Sequence, residues 1–74
     1  MQKLNSIVVF NDIYYKVLNK IDFEGNIYYL LFNEKYHKFK VVYEYNDELY
    51  QLISNDKYKI IISELYKNVD MMLL

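Results

Sequence analysis

Apolar and polar residues alternate with a period of two over most of this chain, and the period lengthens to that of a helix near residue 58. Leu4 to Phe10 reads as a short β-branched strand, ended by Asn11-Asp12. Ile13 to Phe23 is a long alternating stretch. It predicts Ile13, Tyr15, Val17, Ile21 and Phe23 on one face, with Tyr14, Lys16, Lys20 and Asp22 on the other. Asn19 interrupts the apolar face, which predicts a bulge or a local bend. Glu24-Gly25-Asn26 is the strongest turn signal, since Gly takes positive φ without strain and Asn tolerates it. A hairpin loop of two residues and one of three both fit it.

Ile27 to Phe32 is apolar on both faces, so it is expected to be a central strand covered on at least one side. Asn33 to Lys38 is a polar connection. Phe39 to Tyr45 alternates again, with Phe39, Val41, Tyr43 and Tyr45 set against Lys40, Val42 and Glu44. Asn46-Asp47 suits a tight hairpin turn, and Glu48 to Ile53 is a fifth strand. From there Tyr58, Ile61, Ile62, Leu65, Val69 and Met72 form a helical stripe, whose spacing outweighs the local β propensity of Ile60, Ile61 and Ile62. Ser54, Asn55 or Asp56 is the expected cap of its first turn. The predicted fold is small α+β: an antiparallel, curved sheet of about five strands, with one C-terminal amphipathic helix packed on one face and residues 1–74 forming a single domain.

Composition changes this picture in one respect. The chain is 54% hydrophobic with ten Tyr, yet a domain of this size buries only about 60% of its unfolded surface. Some rings must therefore lie at the surface, either scattered singly or gathered in a contiguous patch. Phe, Tyr, Met, Ile, Asn and Lys supply more than half of the residues, while Ala, Arg and Pro are absent and Gly25 is the only glycine. This is the signature of AT-rich codons, which points to an AT-rich bacterium, its phage or a mobile element. Part of the Tyr excess then reflects codon bias.

The absence of Cys removes disulfides, thiol nucleophiles and thiolate metal sites, and favours the cytoplasm over secretion. The longest uninterrupted apolar run, Ile27 to Phe32, is far short of the ~20 residues of a membrane span, and no signal-peptide pattern is expected at the N-terminus. A net charge of −1 without any Arg lacks the basic excess of a typical nucleic-acid binder.

The run Tyr15-Lys16-Val17-Leu18, followed by Ile21-Asp22-Phe23-Glu24-Gly25-Asn26-Ile27-Tyr28-Tyr29-Leu30-Leu31, resembles the YrzB-like family of short bacterial proteins of unknown function. The likeness extends to a strand ending near Asp47-Glu48-Leu49 and a helix start like Asn55-Asp56-Lys57-Tyr58, covering roughly residues 7 to 69. Members of that family are markedly acidic and this chain is not. The resemblance implies a sheet plus a terminal helix and supplies no activity.

Catalytic and metal chemistry has little to build on. There is one His, so a zinc site lacks a second imidazole as well as thiolates. His37 reads as an exposed loop residue. Ser6, Ser54 and Ser63 read as a strand residue, a helix cap and a helix-surface residue. Glu64 is expected on the outer side of the helix, within reach of Lys67. No enzyme, cofactor or metal is expected.

Lys38, Lys40, Tyr43 and Tyr45 resemble a stacking platform for single-stranded nucleic acid. Strand alternation, however, sends Lys40 away from Tyr43 and Tyr45, and Glu44, Asp47 and Glu48 dilute the positive field. The adjacent pairs Tyr14-Tyr15 and Tyr28-Tyr29 send one ring each way through the sheet. The rings facing away from the helix form either an exposed apolar surface, with Tyr14, Leu18 and Tyr28 or Tyr29, or a second small core if the sheet curls. The expected function is non-enzymatic protein binding, with Tyr14, Leu18, Tyr28, Tyr36, Tyr43 and Tyr45 as candidate partner-binding residues. The partner would be another protein, with a host defence or regulatory protein as the narrower expectation, as for an anti-CRISPR inhibitor. A single-stranded nucleic-acid module and a homo-oligomeric structural protein are the alternatives.

Overall fold

Three hairpins of the same kind set the topology. Asn11-Asp12, Glu24-Gly25 and Asn46-Asp47 all have positive φ at both residues, so each is a two-residue turn whose twist matches that of the strands it joins. The computed structural model describes residues 2–53 and 58–67. Its strands are β1 (Ile7–Phe10), β2 (Ile13–Phe23), β3 (Asn26–Asn33), β4 (Lys38–Tyr45) and β5 (Glu48–Gln51), followed by α1 (Lys59–Tyr66). They form one antiparallel sheet in the order β1-β2-β3-β4-β5, with β3 at its centre as its two-sided apolar pattern predicts. The Glu24-Gly25 loop has two residues, because Phe23 pairs with Asn26.

The sheet curls into a half-barrel. In a flat sheet β1 and β4 would stand roughly 14 Å apart, three strand spacings. Here the Lys40 ammonium of β4 lies 5.4 Å from the centroid of the Phe10 ring on β1. The hollow of the curl holds a core of its own: Val8, Tyr15, Val17, Tyr29, Leu31 and Val42, flanked by Phe10, Ile13, Ile27 and Leu49. At the mouth of this hollow, Gln2 donates its backbone N–H to the Tyr29 hydroxyl (3.0 Å), which in turn donates to a Glu44 carboxylate oxygen (2.8 Å). Of the two outcomes expected for the rings facing away from the helix, the structure shows the second core: Tyr15 and Tyr29 are buried there.

The opposite face carries the helix. Ile61 and Leu65 are buried against Tyr28, Leu30 and Leu52, with Leu18, Ile21, Phe23 and Val41 packed around them. This corrects the expected faces of β2. Val17 pairs with Leu31 and Asn19 with Leu30, so Leu18 is an extra residue and the alternation inverts there. Ile13, Tyr15 and Val17 therefore face the hollow, whereas Ile21 and Phe23 face the helix. The bulge that Asn19 predicts is present, and it divides one apolar stripe between two cores.

Three boundaries also differ from the pattern, one being that β5 ends at Gln51 rather than Ile53. Leu4 and Asn5 belong to a turn, where Asn5 has φ 66°, so β1 starts at Ile7 rather than Leu4. The helix stops at Tyr66, since Lys67 is extended (φ −67°, ψ 135°). Tyr58 occupies the N-cap without a side-chain capping bond. The expected caps Ser54, Asn55 and Asp56, and the stripe positions Val69 and Met72, lie outside the described residues.

Candidate functional site

The helix is too short to cover the whole outer face of the sheet. It shields the middle of β2 and β3, which leaves β1 and the first residues of β2 bare. Ile7, Val9 and Tyr14 project from that bare region, and they are 62%, 56% and 69% exposed. Strand pairing puts Val9 directly opposite Tyr14, and Ile7 opposite Lys16. Beside them the β3–β4 turn raises Tyr36, which is also exposed. Ile7, Tyr14, Lys16, Phe32 and Tyr36 line a shallow concavity of about 930 Å³.

Asn33 holds the two halves of this surface together. Its amide nitrogen donates to the Tyr14 carbonyl oxygen (2.9 Å), and its amide oxygen accepts the Tyr36 backbone N–H (2.6 Å). It is the one buried polar residue among those described. The second bond reaches the N–H three residues on, as a capping side chain does, and shapes the β3–β4 loop, which closes with His37 at φ 51°. The ammoniums of Lys35 and Lys38 stand 5.3 and 5.9 Å from the Tyr36 ring centroid. The rim is of mixed sign, with Asp12 and Glu34 beside Lys16 and Lys35.

A second group of rings runs across the outer face, at the other end of the strands. Tyr28 and Tyr43 are cross-strand neighbours with centroids 6.4 Å apart, and Tyr43 stacks on Tyr50 at 5.5 Å with 25° between planes. Tyr45 completes the group, 6.5 Å from Tyr50. The Tyr50 hydroxyl donates to Glu48 (2.9 Å), and that bonded carboxylate pushes the phenol pKa up. Burial pushes the Tyr28 phenol up as well, with smaller contributions from Tyr58 and Glu24.

The six candidate partner-binding residues are thus dispersed. Tyr14 and Tyr36 share the first surface. Tyr43 and Tyr45 belong to the second group, Tyr43 half-buried and Tyr45 exposed. Leu18 and Tyr28 pack under the helix; Tyr28 is 7% exposed and is not offered to a partner in this conformation. The expectation that Tyr14 and Leu18, with Tyr28 or Tyr29, share the face opposite the helix is corrected: of these Tyr29 lies there, whereas Tyr14, Leu18 and Tyr28 lie on the helix side. Lys40 faces the hollow, over Phe10 and bonded to Gln51 (3.2 Å), so the strand places its cation away from Tyr43 and Tyr45.

Ile7, Val9 and Asn33 are the participants that sequence reasoning missed. Ile7 and Val9 read as ordinary strand residues, and only the shortness of α1 leaves them bare. Asn33 had a usable signal: an Asn directly before a polar turn commonly accepts a backbone N–H of that turn.

Elsewhere, the side chains weighed for chemistry make structural contacts. His37 meets Phe32 edge-on at 6.1 Å, and the Ser6 hydroxyl donates to the Lys3 carbonyl at 2.6 Å. Glu64 lies 3.7 Å from the Lys67 ammonium on the exposed side of the helix. No group of three or more His, Cys, Asp or Glu suited to a metal occurs among the described residues, and no buried side-chain nitrogen or oxygen among them lacks a partner. No described helix is long and apolar enough to cross a membrane.

Comparison of the chain with protein-family models, with curated proteins and with solved structures finds no match in any of the three. The likeness to the YrzB-like family is neither strengthened nor weakened by this.

Proposed function

We propose that this chain is a protein-binding module that works through the surface of Ile7, Val9, Tyr14 and Tyr36. The observation that carries this reading is the exposure of these four side chains on one bare region formed by β1, the start of β2 and the β3–β4 turn, braced by Asn33. Aromatic rings held by strands and tight turns lose little conformational freedom on docking, and the charged rim suits the edge of a protein interface. In the narrower form of the proposal, the chain is a cytoplasmic factor of a phage or mobile element that blocks a host defence or regulatory protein. Its codon-biased composition and lack of Cys support that form.

The test is affinity capture from the source cell with the native chain and with Tyr14→Ala and Tyr36→Ala. One host protein retained by the native chain and lost from both folded variants supports the proposal. Capture that is indifferent to both substitutions refutes it.

Single-stranded nucleic acid is the second reading, drawn from the Lys35 and Lys38 ammoniums over Tyr36. It has less support, because Glu34 and Asp12 share the same rim. It predicts oligonucleotide binding that weakens steeply as salt rises.

A further inference from the structure

We infer that β1 is a pairing edge, completed by β1 of a second copy of this chain running antiparallel about a two-fold axis beside Val8. The inference goes beyond the proposed function, since it concerns the backbone edge of β1 rather than the side chains of the bare surface.

The sheet has two edges, β1 and β5. Monomeric proteins blunt such edges with charge, Pro, bulges or cover, because a bare edge recruits other strands. β5 is blunted: Glu48 opens it, and its carboxylate is held by the Tyr50 hydroxyl. Among the described residues β1 shows none of these devices, and its one protection is its length of four residues. It reads Ile-Val-Val-Phe, without charge or Pro, and Ile7 and Val9 are more than half exposed.

The pairing pattern shows which groups the edge offers. Val17 N–H donates to the Ser6 carbonyl (2.9 Å), and Phe10 and Ile13 close a two-residue hairpin. Ser6, Val8 and Phe10 therefore turn their backbone groups toward β2, and Ile7 and Val9 turn theirs outward. An open groove of about 520 Å³ runs beside this edge, between Val8 to Phe10 on one side and Asp47 to Leu49 on the other.

A second copy fits this edge because the edge is self-complementary. With the two-fold axis beside Val8, Ile7 bonds to Val9 of the second copy, Val9 bonds to its Ile7, and the two Val8 residues face each other. Every outward donor and acceptor of Ile7 and Val9 then meets an acceptor or donor. On the outer face a row forms from Lys16 through Ile7 to Val9 and Tyr14 of the second copy, and a second row repeats it in reverse. The mixed rim of Asp12, Glu34, Lys16 and Lys35 selects neither an acidic nor a basic partner, whereas a copy related by a two-fold axis presents the same mixture inverted. The interface is small, so association depends on concentration rather than being permanent.

The experiment uses the absence of Cys. In this register the Val8 pair is of the non-hydrogen-bonded kind, with Cα atoms about 4.5 Å apart, within disulfide range. Val8→Cys in the full chain, in a glutathione redox buffer, is expected to form a covalent dimer about tenfold faster than Ile7→Cys, whose thiol would face Val9. Sedimentation of the native chain should show mass rising with concentration. Val9→Lys, at an exposed position, should restore the monomer with an unchanged circular dichroism spectrum. A native chain that stays monomeric at every concentration overturns the inference. So does a dimer that survives Val9→Lys while Val8→Cys cross-links no faster than Ile7→Cys. Val9 belongs to both surfaces, so Tyr36→Ala, off the β1 edge, separates the two readings: capture that depends on Tyr36 with a native chain that stays monomeric would leave the proposed function standing and overturn the dimer, and a dimer with capture indifferent to Tyr36→Ala would do the reverse.

Discussion

The amide nitrogen of Asn19 donates to the carbonyl oxygen of Leu65 at 3.0 Å, joining the bulge of β2 to the last turn of the helix. The last carbonyls of a helix have no partner within it, and this bond satisfies one of them. The Asn19 amide oxygen accepts the Lys20 backbone N–H at 2.9 Å, so the side chain also stabilises the bulge. Asn19→Leu keeps the bulk and removes both bonds. It should cost about 1–3 kcal/mol, measured as a lower urea midpoint, and amide exchange should quicken in the helix before the sheet. An unchanged midpoint would show that water replaces both bonds without loss.

The course of the chain was legible in the sequence, and the division of its faces was not. β2 spans Ile13–Phe23 as its alternation predicts, and the tight turns fall at Asn11-Asp12, within Glu24-Gly25-Asn26 and at Asn46-Asp47, where the sequence marks breaks. These are local effects, set by side-chain period and by which residues tolerate positive φ. Asn19 marked the bulge. The pattern could not show that the bulge would send Ile21 and Phe23 to the helix while Val17 stayed in the hollow, since that depends on the register with β3. Burial of Tyr15 and Tyr29 in the hollow follows from sheet curvature, a sum of small twists over five strands that no single residue encodes. For the candidate surface, Tyr14 and Tyr36 were legible as rings outside the core pattern. Ile7 and Val9 were not, because their exposure depends on how far α1 reaches.

Tyr14 and Tyr29 should respond oppositely to truncation. Tyr14 is 69% exposed and Tyr29 fully buried. Tyr14→Ala should leave stability within about 0.5 kcal/mol of the native chain, whereas Tyr29→Ala should cost about 3–5 kcal/mol. Denaturant titration of both variants checks this. Equal losses would mean that the outer face is covered in solution.

The phenols of Tyr28, Tyr29 and Tyr66 tie stability to alkaline pH. Burial raises all three pKa values; at Tyr29 the bonded Gln2 amide opposes this and the Glu44 carboxylate adds to it. A phenol whose pKa is higher folded than unfolded favours the fold while protonated. Its contribution is complete below the unfolded value of about 10 and is lost as pH rises through the folded value. Tyr29→Phe should therefore cost about 1 kcal/mol at neutral pH, where it breaks the bonds to Gln2 and Glu44. The gap between native and variant should close above pH ~10. Urea midpoints of the two proteins across that range test it, and the comparison cancels the titration of the lysines they share. A gap that widens with pH would reverse the sign.

Glu24 is the least suited residue in its turn. It holds φ 53° at the first position of the Glu24-Gly25 hairpin, and its side chain is exposed. The left-handed region costs an ordinary L-residue about 1–2 kcal/mol, and Asn is among the few that visit it readily. Gly25, at φ 83°, already supplies the second position, with nothing within 4 Å of where a Cβ would stand. Glu24→Asn would make the turn Asn-Gly, the sequence most favoured for this geometry. It should stabilise the chain by about 1 kcal/mol and raise the melting temperature by roughly 4–8 °C. Gly25→Ala should do the opposite despite the open space around it, because its penalty lies in the backbone and not in a clash. If both substitutions left the melting temperature unchanged, this turn would not be held in the geometry that pairs Phe23 with Asn26.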